Sequence, residues 1–516
     1  MLLALFNQGR FAEMETLARQ IAGRFPNYGI AWKAVGAALM QQGQHAEALE
    51  PLQKAAALLQ EDSQTHNNLG NTLVKLGRLS EAEASYRRAL KIKPDFAEAH
   101  SNLGETLRGL GRLPEAETSQ RKALEIKPNF VEAHQNLGSA LLELGRLSEA
   151  EASLHRALEL KPDFAGAHNS MGGTLLEQGR LLEAEASYRQ ALKIKPDYPE
   201  AQKNLGDILC CLDDIDQAIA AYQKVLSIDR QNMGMEAAVS LATLYYLNGN
   251  IGQCRSMLDF SRPINDTTGF THKNTRAYWS YLDLLLTKYQ KHNGRKQQQE
   301  NSNVLYVVGE SHSLSAHGAL VPYRDREMNC IAKWIRGCKQ WHLGNNKPNK
   351  SKYKFERILE TLPRKSRILL LIGEIDCRPD EGIIKAWKKS CGISLEGVAE
   401  ATAKSYLSYA ANIAAKFGHR AIAGGIPATN ERLLDTLTTE SAGQLVKLIK
   451  LFNAILKDKA LAAGMDFLDV FALTDRGDGI ANGEWHIDQF HLLPSAMIEA
   501  FSKYLVASEH PPRKLN

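Results

Sequence analysis

Several things are scarce in this sequence of 516 residues. It holds seven cysteines, an odd number, and none lies in a CxxC pair; only Cys210 and Cys211 are adjacent. That usage argues against a disulfide framework and against a zinc site, and it suits a reducing compartment. No apolar run approaches the roughly 18 residues that would mark a transmembrane helix. Residues 1–6 are apolar but lack the basic flank and small-residue cleavage site of a signal peptide, so a cytoplasmic location is the expectation. The formal net charge is only +5, and no Lys/Arg block is interleaved with aromatics. Nucleic acid is therefore not an expected partner. The length exceeds what one hydrophobic core supports, so several domains are expected.

What the chain has instead is a period. Gly36, Gly70, Gly104, Gly138, Gly172 and Gly206 recur every 34 residues, as do Ala48, Ala82, Ala116, Ala150, Ala184 and Ala218. Pro94, Pro128, Pro162 and Pro196 keep the same spacing, with Pro26 two periods earlier. This is the signature of tetratricopeptide (TPR) repeats, units of two antiparallel helices. The glycine and the alanine let the paired helices approach closely. The pairs Gly77-Arg78, Gly111-Arg112, Gly145-Arg146 and Gly179-Arg180 make the turns, and proline ends each second helix. One unit cannot bury its apolar face alone, so the units stack into a superhelical solenoid. Residues 2–26 read as the tail of one helix followed by another, so the chain starts inside a repeat. Residues 235–260 read as a degenerate last unit, with Ala242 at the glycine position and Cys254 at the alanine position. Residues 274–290 read as a capping helix with Tyr278, Tyr281, Leu282, Leu285 and Tyr289 on one side.

Two further columns follow the period. Asn68, Asn102, Asn136 and Asn204 share one position on the first helix of each unit, interrupted by Ser170. Carboxamides there can donate to and accept from an extended peptide. Over residues 28 to about 230 this resembles the TPR arm of the O-linked N-acetylglucosamine transferases, whose asparagine ladder holds substrate peptides. That resemblance implies a protein or peptide partner; the plainer reading is a set of repeat-consensus residues in a solvated groove. His66, His100, His134 and His168 form the second column. Equivalent side chains of neighbouring repeats stand on the order of 10 Å apart, too far to share a metal that needs ligands at about 2 Å. They are expected to fill space between adjacent helices.

After a polar linker over 291–303 the period ends. Strand candidates at 304–308, 368–372, 421–424 and 467–470 alternate with helix candidates such as 397–416 and 438–463. That alternation predicts a parallel sheet covered on both faces, with sites at the C-terminal strand ends. The first strand runs into Gly309-Glu310-Ser311-His312-Ser313, and far downstream stands Asp488-Gln489-Phe490-His491. A serine at a strand end, with an Asp and a His three residues apart, supplies the parts of a nucleophilic triad. The GxSxG elbow of standard α/β-hydrolases is absent.

The pattern resembles the SGNH (GDSL) hydrolase superfamily, whose first block is Gly-Asp-Ser after the first strand and whose last is Asp-x-x-His. Glu310 replaces the Asp of the first block, and Asp488 to His491 match the last in full. The helix-then-strand segment from Asn453 to Val470 resembles the one those enzymes carry before the last block. The likeness covers about 303–508. It implies a three-layer α/β/α, flavodoxin-like domain in which Ser311 is the nucleophile, His491 the general base and Asp488 its orienting group. For the oxyanion hole it implies a second-block glycine, Gly337 or Gly344, with Gly337 preferred. The third block reads Gly373-Glu374-Ile375-Asp376-Cys377-Arg378, so Ile375 stands where the family has an asparagine donor. Losing one such donor costs about 10²–10³ in rate, and Arg378 could supply a charged one instead. Glu374 and Asp376 then border the substrate, or form an ion-pair cluster with Arg378. His312 falls on the rim, and His486 has the weaker claim as base because it precedes Asp488.

The expected organisation is thus a TPR solenoid over 1–260, of about seven to eight repeats with the first truncated, a capping helix and linker over 261–302, and an SGNH/GDSL-like domain over 303–510. The expected function is hydrolysis of an ester, O-acyl by preference, through an acyl-serine intermediate, on a small ester or an acylated glycan, with no metal or organic cofactor. The alternative is a non-catalytic scaffold whose SGNH-like domain binds a ligand without turnover. Glycosyl transfer is disfavoured: about 210 residues are short for two nucleotide-binding domains, and no glycine-rich nucleotide loop is present.

Overall fold

The computed structural model describes residues 1–262, 273–289, 303–309, 311–335, 338, 340–344, 348–372, 382–389, 392–486 and 491–508. They fall into two compact units, Met1–Leu175 with Gln190–Pro196, and Leu176–Arg189 with Asp197–Asn516.

The first unit is a series of helical hairpins such as Ser63–Lys75 with Leu79–Ile92, Ala97–Gly109 with Leu113–Ile126, and Val131–Glu143 with Leu147–Leu160. The glycine column sets how close the two helices lie. A Cβ on Gly70 would come within 2.5 Å of the Tyr86 ring, and one on Gly138 within 2.5 Å of Leu154. The alanines opposite, among them Ala82, Ala116 and Ala150, are fully buried. At each turn the glycine is left-handed, with φ of 75° at Gly111, and the arginine after it begins the second helix. Arg112 grips Glu115 one turn on, and its Nη1 reaches Glu83 of the preceding hairpin at 2.7 Å. Arg146 repeats this with Glu149 and Glu117. The Gly-Arg pair therefore makes the turn and also ties neighbouring repeats together.

The histidine column does something more local than filling interhelical space. Nε2 of His100, His134 and His168 lies 2.8, 2.8 and 2.9 Å from the carbonyls of Pro94, Pro128 and Pro162, and His66 stands likewise against Gln60. Each imidazole braces the loop that enters its own helix.

In the second unit the hairpins continue as Pro199–Cys211 with Ile215–Ile228 and Asn232–Leu247 with Ile251–Phe260. Ala242 and Cys254, the substitutes in the degenerate repeat, are fully buried. Asp213 stands where the earlier turns have glycine and keeps their left-handed backbone, with φ of 66°. Its carboxylate pairs with Lys354 at 3.2 Å. The capping helix spans Lys273–Tyr289. It packs on the last repeat, where the Trp279 indole donates to the Leu258 carbonyl at 2.9 Å.

The sheet follows. Its strands are β1 (Val304–Gly309), β2 (Leu320–Tyr323), β3 (Arg326–Trp334), β4 (Arg367–Leu371), β5 (Arg420–Gly424), β6 (Asp466–Leu468) and β7 (Leu505–Val506), in the order β2-β3-β1-β4-β5-β6-β7. The expected parallel sheet holds for the five central strands, while β2 and β7 run antiparallel at the two edges and make the whole sheet mixed. The parallel strands between them, β3-β1-β4-β5-β6, have the flavodoxin-type order 2-1-3-4-5. The β2–β3 hairpin escapes the sequence pattern because Pro322 interrupts the first strand, a residue tolerated only at a sheet edge. Val470, read as the end of a strand, instead opens the short helix Val470–Thr474.

Strand alternation sends side chains to two separate cores. Val308, Ile368, Leu370 and Phe467 pack against Lys350–Thr361, Leu395–Lys416 and Thr439–Ala462. Leu305, Val307, Leu369 and Leu371 pack against Ser311–Ala316 and Pro494–Lys503. Both faces are therefore covered, as near-continuous apolar strands require. Among the described residues no helix is long and apolar enough to cross a membrane.

Candidate functional site

β1 delivers the serine. Its last residue, Gly309, pairs with Trp334 of β3 on one side and Leu371 of β4 on the other. A Cβ at Gly309 would fall 2.2 Å from the Leu371 carbonyl oxygen, so only glycine fits between these backbones. Two residues later Ser311 opens the helix Ser311–Ala316, at the C-terminal end of β1. In this strand order that end is the topological switch point, where such sheets bind ligands. The helix is held down from inside. Ser313 is fully buried, and its hydroxyl donates to the Gly309 carbonyl at 3.4 Å. The Leu314 carbonyl accepts from the Tyr246 hydroxyl at 3.3 Å.

His491 is 5% exposed. Its loop is closed by a bridge between His486 and Leu492 and by the Leu493 amide donating to the Trp485 carbonyl at 2.8 Å. The following helix, Pro494–Lys503, shares a core with Ala316 of the serine helix through Ala496, Met497 and Ala500. The imidazole stacks on the Tyr281 ring of the capping helix, with centroids 4.0 Å apart and planes 16° apart.

A chain of contacts links His491 to β3. Tyr278 and Tyr281 are one turn apart on the capping helix, about 5 Å along its axis. The first receives a hydrogen bond from Trp334 Nε1 at 3.3 Å, and the second carries His491. Trp334 in turn pairs with Gly309, two residues before Ser311. His491 is thus linked through the capping helix to Trp334, the β3 residue beside Gly309.

The side chains of Ser311 and His312 lie outside the described residues, as do Asp488, Gly337, Glu374, Ile375, Asp376 and Arg378. Gly344, the other second-block glycine, ends the helix Gln340–Gly344, and a Cβ there would stand 2.9 Å from Ser405 of Leu395–Lys416. Its smallness thus serves helix packing. One histidine had no sequence signal at all. His317 accepts a hydrogen bond at Nδ1 from the Ala332 amide at 3.3 Å and lies against the Tyr246 ring. Burial, aided by Lys333, pushes its pKa down to about 4, so it is a neutral strut under the serine helix.

In the array, the asparagine column is half-buried. Asn102 donates to Asn67 at 3.1 Å and to Asn71 at 3.0 Å on the preceding hairpin, Asn136 donates to Ser101 at 3.3 Å, and Asn68 accepts from Gln64 at 2.9 Å. Asn204 lies on Pro199–Cys211. Carboxamides of successive repeats are thus linked to their neighbours. Asn67 and Asn71, which complete the network, do not follow the period and so were invisible in the column.

Family models described as tetratricopeptide repeat match residues 1–63 with 136–199, 95–163, and 175–232, and one described as TPR repeat matches 70–111. The N-terminal array is a tetratricopeptide-repeat solenoid. No curated protein matches the chain significantly. Similar solved structures include the thermophilic TPR protein TTC0263 of Thermus thermophilus, 27% identical over 35% of this chain and 98% of that one, with a TM-score of 0.33. YrrB, described as a TPR protein with an unusual peptide-binding site, is 25% identical over 34% of this chain and 92% of its own, with a TM-score of 0.27. The APC/C hetero-tetramer Cut9-Hcn1 is 18% identical over 55% and 54%, with a TM-score of 0.43.

Proposed function

We propose that the sheet domain is a serine ester hydrolase of SGNH type, carried by a repeat array that binds a protein or an extended peptide. One observation carries the reading. His491 stacks on Tyr281, one turn from Tyr278, whose hydroxyl accepts from Trp334, the β3 partner of Gly309 two residues before Ser311, and this chain of contacts supports the pairing of the two residues. In this reading Ser311 Oγ attacks the ester carbonyl while His491 takes its proton. His491 then protonates the leaving alcohol, and water releases the acyl group by the same steps in reverse roles. Asp488 fixes the imidazole tautomer. Gly337 and Arg378 supply donors to the oxyanion, with Glu374 and Asp376 bordering the substrate. The half-buried carboxamides of Asn68, Asn102, Asn136 and Asn204 offer the arm its polar contacts to a partner.

A fluorophosphonate probe should label the wild-type protein and leave Ser311→Ala unlabelled. Labelling that survives this substitution unchanged removes Ser311 from the role of nucleophile. A second reading, ligand binding without turnover, is favoured by Ile375 at the position of the family's asparagine donor. Hydrolysis of short-chain aryl esters that disappears in His491→Ala decides for the enzyme.

A further inference from the structure

We infer that Tyr281 is a positioning residue for the general base, so that the hydrolase site is completed by the capping helix of the repeat array. The inference rests on the reading of Ser311 and His491 as nucleophile and base, and extends it to a part of the chain outside the SGNH-like segment. Tyr281 is fully buried, and its ring lies parallel to the His491 imidazole at 4.0 Å, near van der Waals contact. A flat ring held face-on at that distance cannot rotate about its Cβ–Cγ bond without driving an edge into the phenol. The stack therefore confines the imidazole to one plane, in which both ring nitrogens must find their partners. A base displaced from its productive plane loses rate steeply, because proton transfer needs a hydrogen bond of about 2.6–3.2 Å to the nucleophile.

The tyrosine is itself well held. One turn earlier Tyr278 packs edge-on against Trp334, with centroids 5.3 Å apart, and receives its indole hydrogen bond. Leu282 and Leu285 of the same helix are buried. The helix is also fixed from behind, where Trp279 donates to Leu258 of the last repeat. A side chain needed only to fill space would be replaceable by any apolar residue of similar size. One that sets a ring plane is replaceable only by another aromatic ring.

The whole 516-residue chain is titrated with a fluorophosphonate probe to obtain a maximal inactivation rate and a half-saturating concentration. Tyr281→Phe should keep both. Tyr281→Leu should lower the maximal rate at least about tenfold and leave the half-saturating concentration within about twofold, with thermal melting unchanged in cooperativity. If Tyr281→Leu fails to fold, Tyr281→Met, which fills the space with a flexible thioether, carries the same expectation. Wild-type rates in the Leu or Met variant overturn the inference, and so does a loss in Tyr281→Phe as large as that in Leu. Failure of the underlying reading shows separately and earlier: the wild type is then unlabelled, or Ser311→Ala is labelled as well, and the inference falls with it.

Discussion

Gly70 of the repeat array makes room for a side chain; Gly309 of the sheet domain makes room for a backbone. Gly70 faces the ring of Tyr86, whereas Gly309 faces the carbonyl oxygen of Leu371. The contrast reflects how each region is built. Repeats are held by neighbours that can adjust, one hairpin at a time, so their stability is a sum of local terms. The sheet has a single register shared by seven strands, and a displaced backbone in β1 is felt in β3 and β4 together. The candidate site sits where adjustment is least possible, as a preorganised catalytic geometry would require.

Paired substitutions at these glycines break or sharpen the comparison most strongly. Gly309→Ala should destabilise the sheet domain by upwards of about 3 kcal/mol and abolish probe labelling, because β1 and β4 must separate. Gly70→Ala should cost only about 1–2 kcal/mol, since the Tyr86 ring can move and alanine favours the helix. Denaturant unfolding that finds the two equal removes the distinction.

Acid should act next, and on the sheet side. The unfolded chain protonates His317 near its ordinary 6.5, while the folded domain resists protonation down to about 4. Its contribution is therefore complete above pH 6.5 and is lost as the pH falls towards 4, by up to about 3 kcal/mol. His317→Asn, which retains an acceptor for the Ala332 amide, should flatten that part of a stability–pH curve. An unchanged curve would place the acid sensitivity elsewhere.

The smallest effect is expected at Asp213, a repeat-turn residue that also pairs with the sheet domain's own helix Lys350–Thr361. Asp213→Gly relieves a left-handed backbone and loses the Lys354 partner, so melting should show a net change below about 1 kcal/mol. Asp213→Val keeps neither advantage and should cost about 2 kcal/mol.

Legibility also differed between the regions, for physical reasons. A repeat writes each packing requirement many times, so the glycine and alanine columns stand out although each contact is ordinary. The histidine column was equally visible, yet its role was not. Its constant six-residue offset from the prolines shows in the spacing, but spacing does not say that the imidazole bonds the proline carbonyl. In the sheet domain, the strands that pack on both faces are plain apolar runs and could be read directly. The β2–β3 hairpin could not, because Pro322 and a half-exposed β3 follow neither pattern cleanly.

The sequence by itself determined the array, its turns and the order in which Ser311 and His491 occur, because these depend on local chemistry repeated or placed along one chain. Only the tertiary structure decided that Tyr281, some 210 residues before His491, lies flat against it. It also decided that Asp213, in a turn otherwise made by glycine, pairs with Lys354, and that His317 is a strut. Such pairs are set by how layers pack, and packing brings together residues whose separation along the chain carries no periodic signal.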